Sequence, residues 1–189
     1  MIKIAVVGDI GSGKSHVAKQ FGCPVFNADT EVEKIYKQNR RCYTKLKKSL
    51  PNHIVSFPVK KSQLTKAIVS NHNNLKKIIK IVHPEVRRKM NNFIKKNKKK
   101  KFVVLDIPLL MENKINKKKD IIIFVDAKKK EINKRLKRRS NQSHKFLKKF
   151  QLPVEHKKKK SDFIIKNDFN NNSTKKNVKR VLKKILLYA

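Results

Sequence analysis

Glycine is scarce in this chain: there are four in 189 residues, and three of them fall between positions 8 and 13. Tryptophan is absent, and cysteine occurs only as Cys23 and Cys42. Two cysteines are too few for a disulfide framework or a zinc site, so a reducing, cytoplasmic setting is expected. Acids are also few, 13 Asp and Glu against 51 Lys and Arg, which gives a formal charge of +38. Long apolar runs are missing. "IIIFV" at 121–125 is far short of the ~20 apolar residues a membrane helix needs, so no membrane association is expected. The first apolar run leads straight into the glycines, unlike the layout of a secretory signal.

So large a cationic excess invites a nucleic-acid partner, because a basic surface gains from counterion release. Two features argue against a specific one. Only eight of the 51 basic residues are arginine, whose planar fork suits bases and phosphates better than lysine does. The lysines also come with abundant Asn and Ile, a drift spread over the whole chain. "KKNKKKK" at 95–101 and "KKKK" at 157–160 therefore read as solvated helix faces and loops.

Five short runs rich in Val, Ile and Phe read as strands: "IKIAVVG" at 2–8, "CPVFNAD" at 23–29, "KFVVLDIP" at 101–108, "DIIIFVDA" at 120–127 and "SDFIIKN" at 161–167. They lack polar alternation, as expected of a parallel sheet covered on both faces. Helical stretches lie between them: about Lys14 to Phe21, from near Asp29, and through "KKKEINKRLKRR" and "STKKNVKRVLKKILLYA". Residues 40–100 carry little strand signal, and Pro84 there is expected to kink or begin a helix. The expected fold is α/β, a doubly wound parallel sheet of about five strands with a helical insertion.

The segment "GDIGSGKS" at 8–15 answers why the glycines cluster. Gly8-x-x-x-x-Gly13-Lys14-Ser15, between a strand and a helix, is a phosphate-binding loop. Its glycines let successive N–H groups turn inward onto phosphate oxygens, and the helix N-terminus adds partial positive charge. Gly8, Gly11, Ser12, Gly13, Lys14, Ser15 and His16 are accordingly assigned to a nucleoside triphosphate. Lys14 is expected on the β and γ phosphates and Ser15 on Mg²⁺. Asp29, read as ending the second strand, is placed to take the proton of an attacking hydroxyl. Asp106 closes "FVVLD", where it would orient the acceptor or hold Mg²⁺ through water. Each acid can alternatively cap the helix that follows it.

The order and spacing of "GDIGSGKS", "NADTEVEKIY", "HPEVR" at 83–87, "LDIPLLMEN" at 105–113, "RLKRR" at 135–139 and "QLPVEHKKKKSDFIIKN" at 151–167 resemble those of dephospho-CoA kinases over nearly the whole chain. The resemblance implies one P-loop-type kinase domain over 1–189: a core of 1–39 and 101–189, a CoA-side insertion of about 40–100, and a lid of about 128–160. It implies transfer of the ATP γ-phosphoryl group to the ribose 3′-hydroxyl of dephospho-CoA, with Asp29 as base and Lys14 and Ser15 serving ATP and Mg²⁺. Arg135 and Arg139, four residues apart, would belong to the lid and meet phosphates. His83 and Arg87 would shape the CoA side, and Lys157 and Asn167 match the tail motif near the expected adenine pocket. The chain departs from the family at Asn27, where an acid is usual, and at Lys60-Lys61, where an Asp-Arg pair is usual. A monomer is expected. The rival readings are another small-molecule P-loop kinase, set apart by "DIPLLMEN" and the tail, and an ATP-dependent nucleic-acid-binding protein, supported by charge alone.

Overall fold

Five apolar runs become five parallel strands in the computed structural model, which describes residues 1–108, 110–112, 119–138 and 151–187. In chain order the described elements are β1 (Ile2–Gly8), α1 (Lys14–Lys19), β2 (Val25–Asn27), α2 (Ala28–Gln38), α3 (Arg40–Ser49), α4 (Lys61–Ser70), α5 (Asn73–Lys96), β3 (Phe102–Asp106), β4 (Ile121–Asp126), α6 (Lys129–Arg138), α7 (Val154–Lys159), β5 (Phe163–Lys166) and α8 (Asn171–Leu187).

The chain forms two compact units. The first, Met1–Asn27 with Asn97–Ala189, holds the sheet in the order β2-β3-β1-β4-β5. β1 is central, pairing with β3 from Ile2↔Phe102 to Val6↔Asp106 and with β4 from Ile4↔Ile121 to Gly8↔Val125. Its neighbours on the two sides are reached by separate crossovers, so the chain opens a crevice beyond the carboxyl end of β1, where ligands of such sheets bind. Ile4, Val6, Val104, Ile123 and Ile165 are buried together with Val17 and Ala18 of α1 and Val178 and Ile185 of α8. The strands carry continuous Val and Ile because helices cover the sheet.

The second unit, Ala28–Lys96, is helical. α2, α3 and α4 pack on α5 around Ile35, Leu46, Ile54, Ala67, Ile78 and Val82. Asn39 caps α3 by accepting from the Cys42 N–H at 2.9 Å. Lys60 precedes α4, and its N–H donates to Gln63 Oε1 at 3.3 Å.

Three expectations are corrected in detail. β2 is shorter than the run 23–29 and ends at Asn27, so Asp29 lies in the first turn of α2 rather than at the end of a strand. Ala28 is a strong helix former, and acids in a first turn gain from the helix dipole. Of the two expectations for Pro84, that it begins a helix is overturned, because it lies within the 24-residue α5. Lys157 is not part of a solvated face: it is 2% exposed, whereas Lys159 and Lys160 are exposed.

Candidate active site

The turn between β1 and α1 fits a polyphosphate. Gly8, Gly11 and Gly13 all have positive φ, and Gly13 (φ 89°) stands at the N-cap of α1 without a side-chain cap. A β-carbon on Gly13 would lie 2.3 Å from Asn167 Nδ2, so the position admits only glycine. Two buried loop atoms, Ser12 Oγ and His16 Nε2, have no hydrogen-bond partner among the described residues. Buried polar atoms are normally paired, so a loop with two spare donor/acceptor atoms is arranged for a ligand with oxygens to offer. The Lys14 ammonium folds back onto the loop, donating to the Asp9 carbonyl at 2.9 Å and reaching the Gly8 carbonyl at 3.4 Å. Ser15 lies in the first turn of α1 with its side chain exposed.

The far end of the chain braces this turn. Asn167, 3% exposed, donates from Nδ2 to the Ser12 carbonyl at 2.8 Å. Its Oδ1 accepts from the Phe169 N–H at 3.1 Å and the Thr174 hydroxyl at 3.0 Å. Its amide is thus engaged with the loop. Lys157 of α7 sends its ammonium to the Gly8 carbonyl at 3.4 Å and to Glu112 Oε1 at 3.5 Å. On α6, Ile132 and Leu136 come within 3.2 Å of where a β-carbon on Gly11 would be. The Arg135 guanidinium stacks 4.3 Å from the centroid of the Phe169 ring, and its Nε has no partner among the described residues. Arg139 and the stretch 139–150 of the expected lid lie outside the described residues.

Asp106 ends β3 beside β1 and is 2% exposed. Its Oδ2 accepts from Asn27 Nδ2 at 2.6 Å, across the register pair Asn27↔Asp106. The residue that departs from the family pattern is thus a neutral donor fixing the buried acid. In the helical unit, Asp29 sits two residues beyond Asn27 in the chain, and His83 and Arg87 are one turn apart on α5. Burial, and secondarily the Arg87 charge, hold the His83 imidazole below its ordinary range.

Reading the sequence missed Phe169, Thr174 and the work of Glu112. Phe169 has a left-handed backbone (φ 64°), for which "NDFNNN" gives no residue-specific cue. Glu112 was visible only as part of "LDIPLLMEN". Its partners Lys157 and the Leu152 N–H (3.0 Å) come from a segment some forty residues later.

Comparison with known proteins settles the family. The family model for dephospho-CoA kinase matches residues 2–174. The chain belongs to the dephospho-CoA kinase family. The Dephospho-CoA kinase of Wolbachia pipientis wMel is 37% identical over 169 residues, 86% of this chain and 87% of the relative. That of Bartonella quintana (strain Toulouse) is 32% identical over 191 residues, 97% of each. Among solved structures, TT1252 from Thermus thermophilus has a TM-score of 0.75 at 28% identity, covering 99% of this chain and 97% of that one. A Dephospho-CoA kinase from Campylobacter jejuni shares the fold, with a TM-score of 0.65 at 23% identity over 97% and 96% of the two chains. Membership in the dephospho-CoA kinase family makes the chain a phosphotransferase that uses ATP, and neither rival reading is favoured. Among the described residues no helix is long and apolar enough to cross a membrane.

Proposed function

We propose that the chain phosphorylates the ribose 3′-hydroxyl of dephospho-CoA at the expense of ATP, releasing coenzyme A and ADP. The observation that carries the reading is the glycine turn at the carboxyl end of the central strand, with its spare buried Ser12 Oγ and His16 Nε2, in a chain of this family. Backbone N–H groups of Gly11, Ser12, Gly13 and Lys14 hold phosphate oxygens, and the Lys14 ammonium leaves the loop carbonyls for the β and γ phosphates. The Ser15 hydroxyl would hold Mg²⁺, which would supply charge neutralisation at the phosphates when bound.

Asp29 accepts the 3′-hydroxyl proton as the new O3′–P bond forms and the bond from the γ phosphorus to the bridging oxygen breaks, the electron pair leaving with ADP. Asp106, held by Asn27, orients the acceptor. Arg135 and Arg139 meet the charge that spreads over the transferred group. Arg87 and the neutral His83 line the acceptor side, and Lys157 and Asn167 act through the loop. The enzyme works as a cytoplasmic monomer on small molecules, with no specific nucleic-acid or membrane partner.

Purified protein incubated with ATP, Mg²⁺ and dephospho-CoA should yield coenzyme A and ADP in equal amounts by mass spectrometry. Turnover of a different hydroxyl acceptor with none of dephospho-CoA would overturn the proposal.

A further inference from the structure

Lys157 is among the most deeply buried side chains of the sheet unit, in a molecule whose other lysines are overwhelmingly solvated. A buried ammonium is costly unless paired and hydrogen-bonded, so what it touches defines why it is there. Among the described residues its ammonium has two partners. One is Glu112, whose Oε1 also accepts from the Leu152 N–H at 3.0 Å and so fixes the approach to α7. The other is the carbonyl of Gly8, the first residue of the phosphate loop, at 3.4 Å. Lys14 Nζ lies at the same distance from that same oxygen. Two ammonium groups, one from each end of the chain, therefore converge on one loop carbonyl.

The two differ in what they can do next. Lys14 is half-exposed and must leave the carbonyls to meet a triphosphate, whereas Lys157 is buried and paired with Glu112. Without a second donor, the departure of Lys14 would strip the Gly8 carbonyl of its positive partner, and an under-satisfied buried carbonyl disfavours the nucleotide-bound loop. Resting on the kinase reading above, we propose that Lys157 is a positioning residue for nucleotide binding. Its buried ammonium holds the Gly8 carbonyl so that Lys14 is released to the phosphates, while Glu112 holds Lys157. Lys157 therefore acts on the loop rather than by touching either substrate.

The test is the double variant Lys157→Met/Glu112→Gln, which keeps the side-chain volumes and leaves no lone buried charge. Its ATP dissociation constant, measured by calorimetry without acceptor, should rise by ~10-fold or more, while the KM for dephospho-CoA stays within about twofold and the thermal midpoint falls only slightly. Unchanged ATP affinity in the folded double variant would overturn the proposal and reduce Lys157 to an ion pair in the core. Should the double variant fail to fold, Glu112→Gln alone decides. With its tether neutral, Lys157 no longer holds the Gly8 carbonyl firmly, so the ATP dissociation constant should rise by ~3-fold or more while the KM for dephospho-CoA holds; unchanged ATP affinity would overturn the proposal. The wild type is the control that separates the two readings, since failure of unaltered protein to bind ATP would remove the kinase reading itself.

Discussion

At the scale of single residues, chemistry is concentrated in a few side chains whose surroundings differ sharply. Lys14→Ala removes the ammonium proposed to follow the transferred phosphoryl group, so kcat should fall by ~10²-fold or more and triphosphate binding should weaken, read by steady-state kinetics and calorimetry. Asp29→Asn keeps a polar side chain but cannot take a proton. ATP affinity should hold while the rate of the chemical step drops by ~10²-fold or more in a single-turnover experiment. A near wild-type rate would move the base elsewhere, with Asp106 the next carboxylate to examine. The two thiols are quiet for a physical reason: burial raises both, and Cys42 is pushed up to about 11. His83 behaves in the opposite sense. Burial and Arg87 hold it below 6.5, so the unfolded chain binds a proton that the native chain resists. Its contribution to stability is therefore complete above about pH 6.5 and is lost as the pH falls through the lowered native value. A thermal-midpoint profile should slope downward on the acid side and flatten there in His83→Gln.

At the scale of elements, the strands were legible because each is an uninterrupted apolar run, and the loop because its glycines and Lys14-Ser15 sit at fixed offsets. The place of Asp29 was less legible. β2 is only three residues long, and nothing in "CPVFNAD" says that helix formation from Ala28 will win over one more strand pair. The burial of Lys157 was illegible for a different reason. Four identical lysines in a row carry no periodicity, so only the packing of α7 against β1 selects which one points inward. Elements also set the cost of error. Gly13→Ala drives a β-carbon to 2.3 Å from Asn167 Nδ2 at a backbone φ of 89°, which should destabilise by about 1–3 kcal/mol and abolish ATP binding. In the helical unit, Leu46 of α3 is fully buried among Ile35, Leu50 and Ile54, and Leu46→Ala should cost about 2–5 kcal/mol in urea unfolding.

At the scale of the whole molecule, a formal charge of +38 spread over 189 residues means that the native state is held against its own repulsion. Added salt should therefore raise the thermal midpoint, most steeply below ~0.1 M, where the screening length shrinks fastest toward ~10 Å. Several ion pairs among the described residues are local and exposed, such as Lys34–Glu31 and Lys37–Glu33 on α2, and pairs of this kind offset little of it. The same repulsion blunts the sheet's two outer strands, β2 and β5, which are short, and β5 carries the exposed Lys166. One bond spans nearly this whole molecule: the Asn167 amide on the Ser12 carbonyl joins positions 155 residues apart. During synthesis the glycine turn leaves the ribosome well before β5 and must wait, unfinished, for the segment that carries Asn167. A nascent polypeptide stalled before Asn167 should therefore be unable to retain nucleotide.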